Sequence, residues 1–188
     1  MRITGGMIKG RRLADMRGLA IRPTSDRVRS SIFNILGQDL TGLSVLDLFA
    51  GTGSLGIESL SRGAMRAVLI DKSRIALAVI KKNITICGYA AHSAILREKL
   101  PEGLSHVRTH GYGSFDLIFL DPPYESGHIE PTLYGLVERN LLARDSIIVV
   151  ESSTSADDPL PLGVPNLRLN KTRAYGTTLI GFYAYHEV

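Results

Sequence analysis

Only one of the 188 residues, Cys87, is a cysteine, none is a tryptophan, and aromatic side chains make up 6% of the chain. A single thiol excludes an intramolecular disulfide and any cysteine-rich zinc site. The five histidines, His92, His106, His110, His128 and His186, show no ligand spacing, so no metal is expected. No uncharged run approaches the length that spans a bilayer, and the N-terminal residues lack an apolar signal core. The expected location is therefore cytoplasmic. Internal repeats and low-complexity tracts are also lacking. Hydrophobic content of 44% and charged content of 21% suit a globular chain long enough for one sizeable core and a small appendage.

The charge is unevenly spread. Residues 1–29 hold eight cations (Arg2, Lys9, Arg11, Arg12, Arg17, Arg22, Arg27 and Arg29) against Asp15 and Asp26, a surplus of six in a chain whose net charge is +4. All the excess positive charge therefore lies in the first sixth of the chain, as expected if this end meets a polyanion. A merely solvated basic arm is the bland alternative. Gly5-Gly6 between two short extended segments predicts a small hairpin over residues 1–13 carrying Lys9, Arg11 and Arg12. Thr24 or Ser25 can cap a helix running to about Leu36, with Val28, Ile32, Phe33, Ile35 and Leu36 on its packing side. Cations near the N-terminal end of a helix oppose its dipole, so Arg22, Arg27 and Arg29 are better explained by an anionic partner. The division expected is a basic hairpin and helix over 1–37, followed by a main domain over 38–188.

The main domain is organised around Val45 to Gly56, VLDLFAGTGSLG. An apolar run containing Asp47 meets glycines at 51, 53 and 56, and Leu55, Ile57 and Leu60 then recur at helical spacing. This is a buried strand, a tight loop and a helix, the opening of a βαβ unit. Glycines let backbone approach a ligand that a Cβ would exclude, and the helix start leaves N–H groups unpaired. Asp71 ends the next strand, RAVLID, where a carboxylate suits the ribose of a dinucleotide or of an adenosyl cofactor.

Asp47 separates those two cofactors. A carboxylate about 5 Å from a pyrophosphate would repel each phosphate charge by roughly 3 kcal/mol at an effective dielectric near 20. S-adenosylmethionine has no phosphate and carries a cationic amino group and a sulfonium, so an acid beside the loop attracts it. Asp47 can also serve simply as an acceptor for turn amides, and the two roles are compatible.

Beyond the loop, strand and helix patterns alternate: Ser44–Ala50, Ser54–Arg62, Arg66–Asp71, Ser73–Cys87, a weaker strand near Ala91–Leu96, a loop to Gly113, Phe115–Asp121, a helix about Glu130–Leu142, and Ser146–Ser152. Such alternation predicts a parallel sheet with ligands at the strands' carboxyl ends. Residues 152–165 read as a loop, and Leu167–Lys171 with Thr177–Tyr185 as a closing antiparallel pair.

Asp121-Pro122-Pro123-Tyr124 closes the FDLIFLD strand. Neither proline has an N–H, and Pro123 keeps Pro122 out of the helical region, so the turn is a stiff array of acceptors. Acceptors from Asp121 and the Pro122 carbonyl could hold the two hydrogens of an exocyclic base amine and aim its lone pair, after which methyl transfer needs mainly positioning. Tyr124 offers a flat surface for an unstacked base, worth roughly 1–3 kcal/mol.

These segments resemble the RsmD-type small-subunit ribosomal RNA guanine-N2 methyltransferases, within the Rossmann-like class I methyltransferases. RITGGMIKGRRL, RPTSDRVRSSIFNIL, LDLFAGTGSLGIESLSRGA, FDLIFLDPPY and the terminal YGTTL fall in the family's order over nearly the whole chain. The resemblance implies a mostly parallel seven-stranded sheet with an antiparallel last strand, S-adenosylmethionine as donor, and transfer to the N2 amine of a guanine in small-subunit (16S) rRNA, free or in an assembling subunit. It implies that Asp47, Phe49, Gly51 and Gly53 shape the methionine end of the cofactor site, that Asp71 takes the ribose, and that Asp121 to Tyr124 take the guanine. Two departures stand out: the family often has Glu at the position of Asp71, and the acidic or amide group near the adenine amine is best matched here by Glu98. Three alternatives remain open at this point: an adenine-N6 methyltransferase, a nicotinamide-dependent oxidoreductase, and a non-catalytic RNA-binding module.

Overall fold

Ser25 opens the first helix of the computed structural model, which describes residues 1–16, 25–124, 126–155 and 159–186. Its hydroxyl accepts from the Val28 N–H at 3.2 Å, capping α1 (Asp26–Leu36), and Gly37 closes the helix on the Phe33 carbonyl. Thr24, the other cap candidate, lies outside the described residues, as do Arg17 and Arg22. Seven strands form one sheet in the order β3-β2-β1-β4-β5-β7-β6. The chain divides into two compact units, Met1–Arg97 and Glu98–Val188.

In the first unit, β1 (Ser44–Leu48) is buried along its whole length. It pairs in parallel with β2 (Arg66–Asp71), which pairs in parallel with β3 (Ser93–Arg97). The crossovers are α2 (Ser54–Ser61) and α3 (Arg74–Cys87). Ser73 caps α3 through the Ala76 N–H, and Gly88, at φ 77°, ends it in the left-handed conformation that glycine reaches without steric cost.

The N-terminal arm is less regular than a hairpin. Ile3 N–H donates to the Arg11 carbonyl at 2.9 Å, and Leu13 N–H bonds the Met1 carbonyl, but only Arg2 and Arg12 form a strand bridge. Gly5-Gly6 is not its turn. Met7 N–H donates to the Ser61 carbonyl at 2.7 Å and the Ser61 hydroxyl donates to the Gly5 carbonyl at 2.7 Å. A Cβ on Gly6 would stand 1.9 Å from the Ser61 oxygen. The glycines are there for close approach to the end of α2.

Beneath them lies a buried ion cluster. Glu58, fully buried, accepts from Thr4 N–H (2.8 Å) and Oγ1 (2.7 Å), from Arg29 Nε (3.1 Å) and from Arg62 Nη2 (2.8 Å). Arg62 also lies 4.5 Å over the Phe33 ring. The structure thus corrects one expectation: Arg29 is 0% exposed, held by Glu58, Asp26 and the Arg2 carbonyl. A guanidinium with no surface cannot meet a phosphate, and its position is set by desolvation and charge pairing inside the arm.

In the second unit, β4 (Phe115–Leu120) and β5 (Leu142–Ser153) are parallel, and β7 (Thr178–Tyr185) runs antiparallel to β5 and to β6 (Leu167–Tyr175). Two helices, α4 (Leu104–Thr109) and α5 (Ile129–Glu138), accompany them. The first falls within an expected loop, because six residues give too little periodicity to read. The second ends earlier than expected: Asn140 takes φ 50°, and Leu142 already pairs with Phe115 in the sheet.

Candidate active site

The loop after β1 binds itself with its own acids. Asp47 is 2% exposed and its Oδ2 accepts from the Gly56 N–H at 2.9 Å. Asp71, half-buried at the end of β2, accepts from Gly51 N–H at 3.0 Å through Oδ2 and from Ser73 N–H at 2.8 Å through Oδ1. Asp71 thus braces the start of the loop and Asp47 its end. Burial pushes the Asp47 carboxyl up to about 7, the Gly56 N–H opposes that rise, and the Asp71 charge adds to it.

The glycines divide their work. Gly53, at φ 75°, caps α2, and a Cβ there would stand 2.9 Å from Leu69 Cδ2; one on Gly56 would stand 3.0 Å from the same atom. Both let the loop and helix press onto β2. Gly51, at φ 57°, has only the Met16 methyl (3.6 Å) and the Phe49 carbonyl (3.9 Å) near its missing Cβ. Phe49 itself sits at φ 57°, a conformation an aromatic residue holds only when its surroundings impose it.

These residues fit an adenosyl cofactor better than a dinucleotide. The Gly51 and Gly56 amides, which a pyrophosphate would need, already donate to carboxylates, and those carboxylates favour a cationic ligand.

In the second unit, Asp121 is half-buried, Pro122 buried, and Pro123 and Tyr124 exposed, Tyr124 at 38%. The Tyr124 hydroxyl is gripped by two groups from the sheet: it donates to Glu151 Oε1 at 3.2 Å and meets Thr178 Oγ1 at 3.1 Å. Desolvation raises the phenol's pKa, the Thr178 bond lowers it, and the Glu151 and Asp121 charges raise it further. The ring is therefore neutral and fixed in direction. Glu98 follows β3, and its Oε2 lies 2.8 Å from His106 Nδ1.

Within the first unit the structure brings Asp47, Phe49, Gly51, Gly53 and Asp71 together. Within the second it adds Glu151 and Thr178 to the Asp121–Tyr124 turn. It sets Glu98 on His106. Of the basic arm, Arg2, Lys9, Arg11, Arg12 and Arg27 are exposed. Lys9, Arg11 and Arg12 line an open groove of about 630 Å³ with Met7, Ile8, Gly10 and Ile86. Among the described residues no acidic, histidine or cysteine cluster could hold a metal, and no helix is long and apolar enough to cross a membrane.

Sequence reasoning missed Thr178, Glu151 and Asn83. Thr178 stood in the YGTTL segment without a role. Asn83 lies on the apolar face of α3 with Ala76, Ile80, Ile84 and Cys87, and a polar residue on such a face is a readable signal of a buried bond.

The model of the conserved hypothetical protein 95 family matches residues 1–184. YlbH of Bacillus subtilis is 36% identical over 97% of this chain and 98% of its own length. Ribosomal RNA small subunit methyltransferase D of Escherichia coli is 32% identical over 97% of this chain and 89% of its own. The solved structure of yhhF from Escherichia coli superposes with a TM-score of 0.84 at 33% identity, covering 99% of this chain and 98% of that one. A family model spanning almost every residue, with relatives alike over most of their length, leads to one conclusion: the chain belongs to the conserved hypothetical protein 95 family, the RsmD-type ribosomal RNA methyltransferases.

Proposed function

We propose that this enzyme transfers a methyl group from S-adenosylmethionine to the exocyclic N2 amine of a guanine in small-subunit (16S) ribosomal RNA, acting in the cytoplasm. The observation that carries this reading is the pair of carboxylates, Asp47 and Asp71, on the loop amides of Gly56 and Gly51. They occupy two of the loop amides that a dinucleotide's phosphates would use and offer a cation a negative wall. The relative named for the small subunit supports the choice of RNA.

When bound, S-adenosylmethionine supplies an electrophilic methyl on its sulfonium. Asp47, Phe49, Gly51 and Gly53 shape the methionine end, Asp71 holds the ribose, and Glu98 takes the adenine amine. Asp121 and the Pro122 carbonyl accept the amine hydrogens of the target base, Pro123 stiffens the turn, and Tyr124 stacks on the base. Residues 1–37 serve as the RNA-reading part and 38–188 as the catalytic part. With Arg29 buried, the arm's described cations are Arg2, Lys9, Arg11, Arg12 and Arg27, with Arg22 in the segment outside the described residues. Five phosphate contacts give a slope of about −3.5 for log K against log salt, roughly a hundredfold between 50 and 200 mM.

The test is transfer from labelled S-adenosylmethionine to unmethylated small-subunit rRNA and partly assembled subunits, for wild type and Asp121→Ala, followed by nucleoside analysis. N2-methylguanosine in the wild type, reduced at least about a hundredfold in the variant, is the expected result. Methylated adenine would overturn the choice of base. No product on either substrate, with the cofactor bound, would favour the non-catalytic reading.

A further inference from the structure

Asn83 is fully buried in the middle of α3, where a side-chain amide is tolerated only if its hydrogen-bonding capacity is used. Its Oδ1 accepts from Ala14 N–H at 2.7 Å, and its Nδ2 donates to the Ala14 carbonyl at 3.1 Å and to the Thr52 carbonyl at 2.9 Å. Towards Ala14 the amide pairs with both backbone groups of one residue, as a neighbouring strand would. Towards Thr52 it grips the glycine loop between Gly51 and Gly53.

The rest of the segment follows that anchor. Leu13 and Met16 are each 7% exposed, and the Met16 methyl lies 3.6 Å from where a Gly51 Cβ would stand. Two residues before Ala14, Arg12 is exposed and bridged to Arg2, and Arg11 is tied to Ile3. The cations that face outward and the atoms that close over the loop thus belong to one hydrogen-bonded strap. A displacement of either end is transmitted through Asn83, since its three bonds cannot be kept if the strap and the loop separate.

We propose that Asn83 is a positioning residue that makes Leu13–Met16 one wall of the cofactor site and couples cofactor binding to RNA binding by the arm. This rests on the reading of the glycine loop and arm given above. Phosphates bound along the arm hold the strap against the loop, and a cofactor packed against the same strap holds it there too, so each ligand strengthens the other by the same factor, about tenfold.

The experiment measures S-adenosylhomocysteine binding to the full-length protein by calorimetry, with and without unmethylated small-subunit rRNA, and rRNA binding with and without S-adenosylhomocysteine. In wild type the two factors should be equal and about ten. Asn83→Ala should bring both factors to one while the protein still melts cooperatively, and Met16→Ala should raise the cofactor KM several-fold, more than it lowers kcat. A merely structural Asn83 would lower the melting temperature and leave the coupling factor intact, which overturns the proposal. Should Asn83→Ala not fold, Met16→Ala decides: an unchanged cofactor affinity and factor sinks the idea. A wild type that binds both ligands without coupling defeats this inference alone, whereas one that binds no S-adenosylhomocysteine defeats the reading of the loop and this inference with it.

Discussion

The glycine loop of the first unit and the Asp-Pro-Pro-Tyr turn of the second both follow buried strands, yet they treat their polar groups differently. The loop turns its carboxylates inward: Asp47 and Asp71 accept from its own amides, and the N-terminal arm closes over it through Asn83. The turn has two residues without N–H groups and an exposed aromatic ring, and only the tip of that ring, the Tyr124 hydroxyl, is tied to Glu151 and Thr178. One site is built before its ligand arrives and holds charge at the expense of stability. The other fixes a surface and leaves its face open. Under the proposed function, a small cationic cofactor calls for the first arrangement, and a base delivered on a large polymer calls for the second.

The sharpest way to break this contrast is through the ion cluster under the arm. Glu58→Ala leaves Arg29, which has no exposed surface, without its buried counter-charge and frees the Thr4 amide. It should destabilise the protein by about 3–5 kcal/mol, read as a lower urea midpoint at unchanged slope. Loss of less than about 1 kcal/mol would mean that the arm is only loosely docked, and the inward-built site would lose its cover.

Asp47 gives the next largest effect and a definite sign. Its folded-state pKa is raised to about 7, mainly by burial, whereas an unfolded aspartate titrates near 3.9. The stabilisation it gives is therefore fully present below about pH 4 and is lost as pH rises to about 7. Over that window the wild type should lose roughly 4 kcal/mol relative to Asp47→Asn, which keeps an acceptor for Gly56. Urea titrations at pH 4, 5.5 and 8 measure the difference. The same charge should favour a cationic cofactor, so S-adenosylmethionine binding at pH 6 should release a proton in wild type and none in Asp47→Asn. A pH-independent difference in stability would mean that Asp47 is solvated.

Much of this was legible from residues. VLDLFAGTGSLG announced strand, loop and helix because an apolar run, glycine spacing and helical periodicity agree over twelve positions. The caps Ser73 and Gly88 marked α3 because capping is local chemistry. Arg29 misled because a surplus of charge does not say which cation is folded inward; that depended on Glu58, 29 residues away and readable only as one more residue of a helix. Gly5-Gly6 looked like a turn because close approach to Ser61 is a tertiary fact. Thr178 was illegible for the same reason: its partner, Tyr124, is 54 residues away.

The smaller predictions concern Tyr124. Tyr124→Ala removes the stacking surface and should weaken rRNA binding by about 1–3 kcal/mol, with S-adenosylhomocysteine affinity unchanged. If Thr178 serves only to aim that ring, Thr178→Val, which keeps the strand and removes one hydroxyl bond, should cost about 1 kcal/mol in kcat/KM for rRNA. Tyr124→Phe removes the bonds to Glu151 and Thr178 at once and should cost somewhat more. The decisive quantity is the double variant. Once the phenol is gone, the Thr178 hydroxyl has no ring to hold, so Thr178→Val in the Tyr124→Phe background should add nothing, and the two costs should be non-additive by the whole of the smaller one. Full additivity would show that Thr178 works through the β5–β7 pairing, and the direction of the Tyr124 ring would then rest on Glu151 rather than on Thr178.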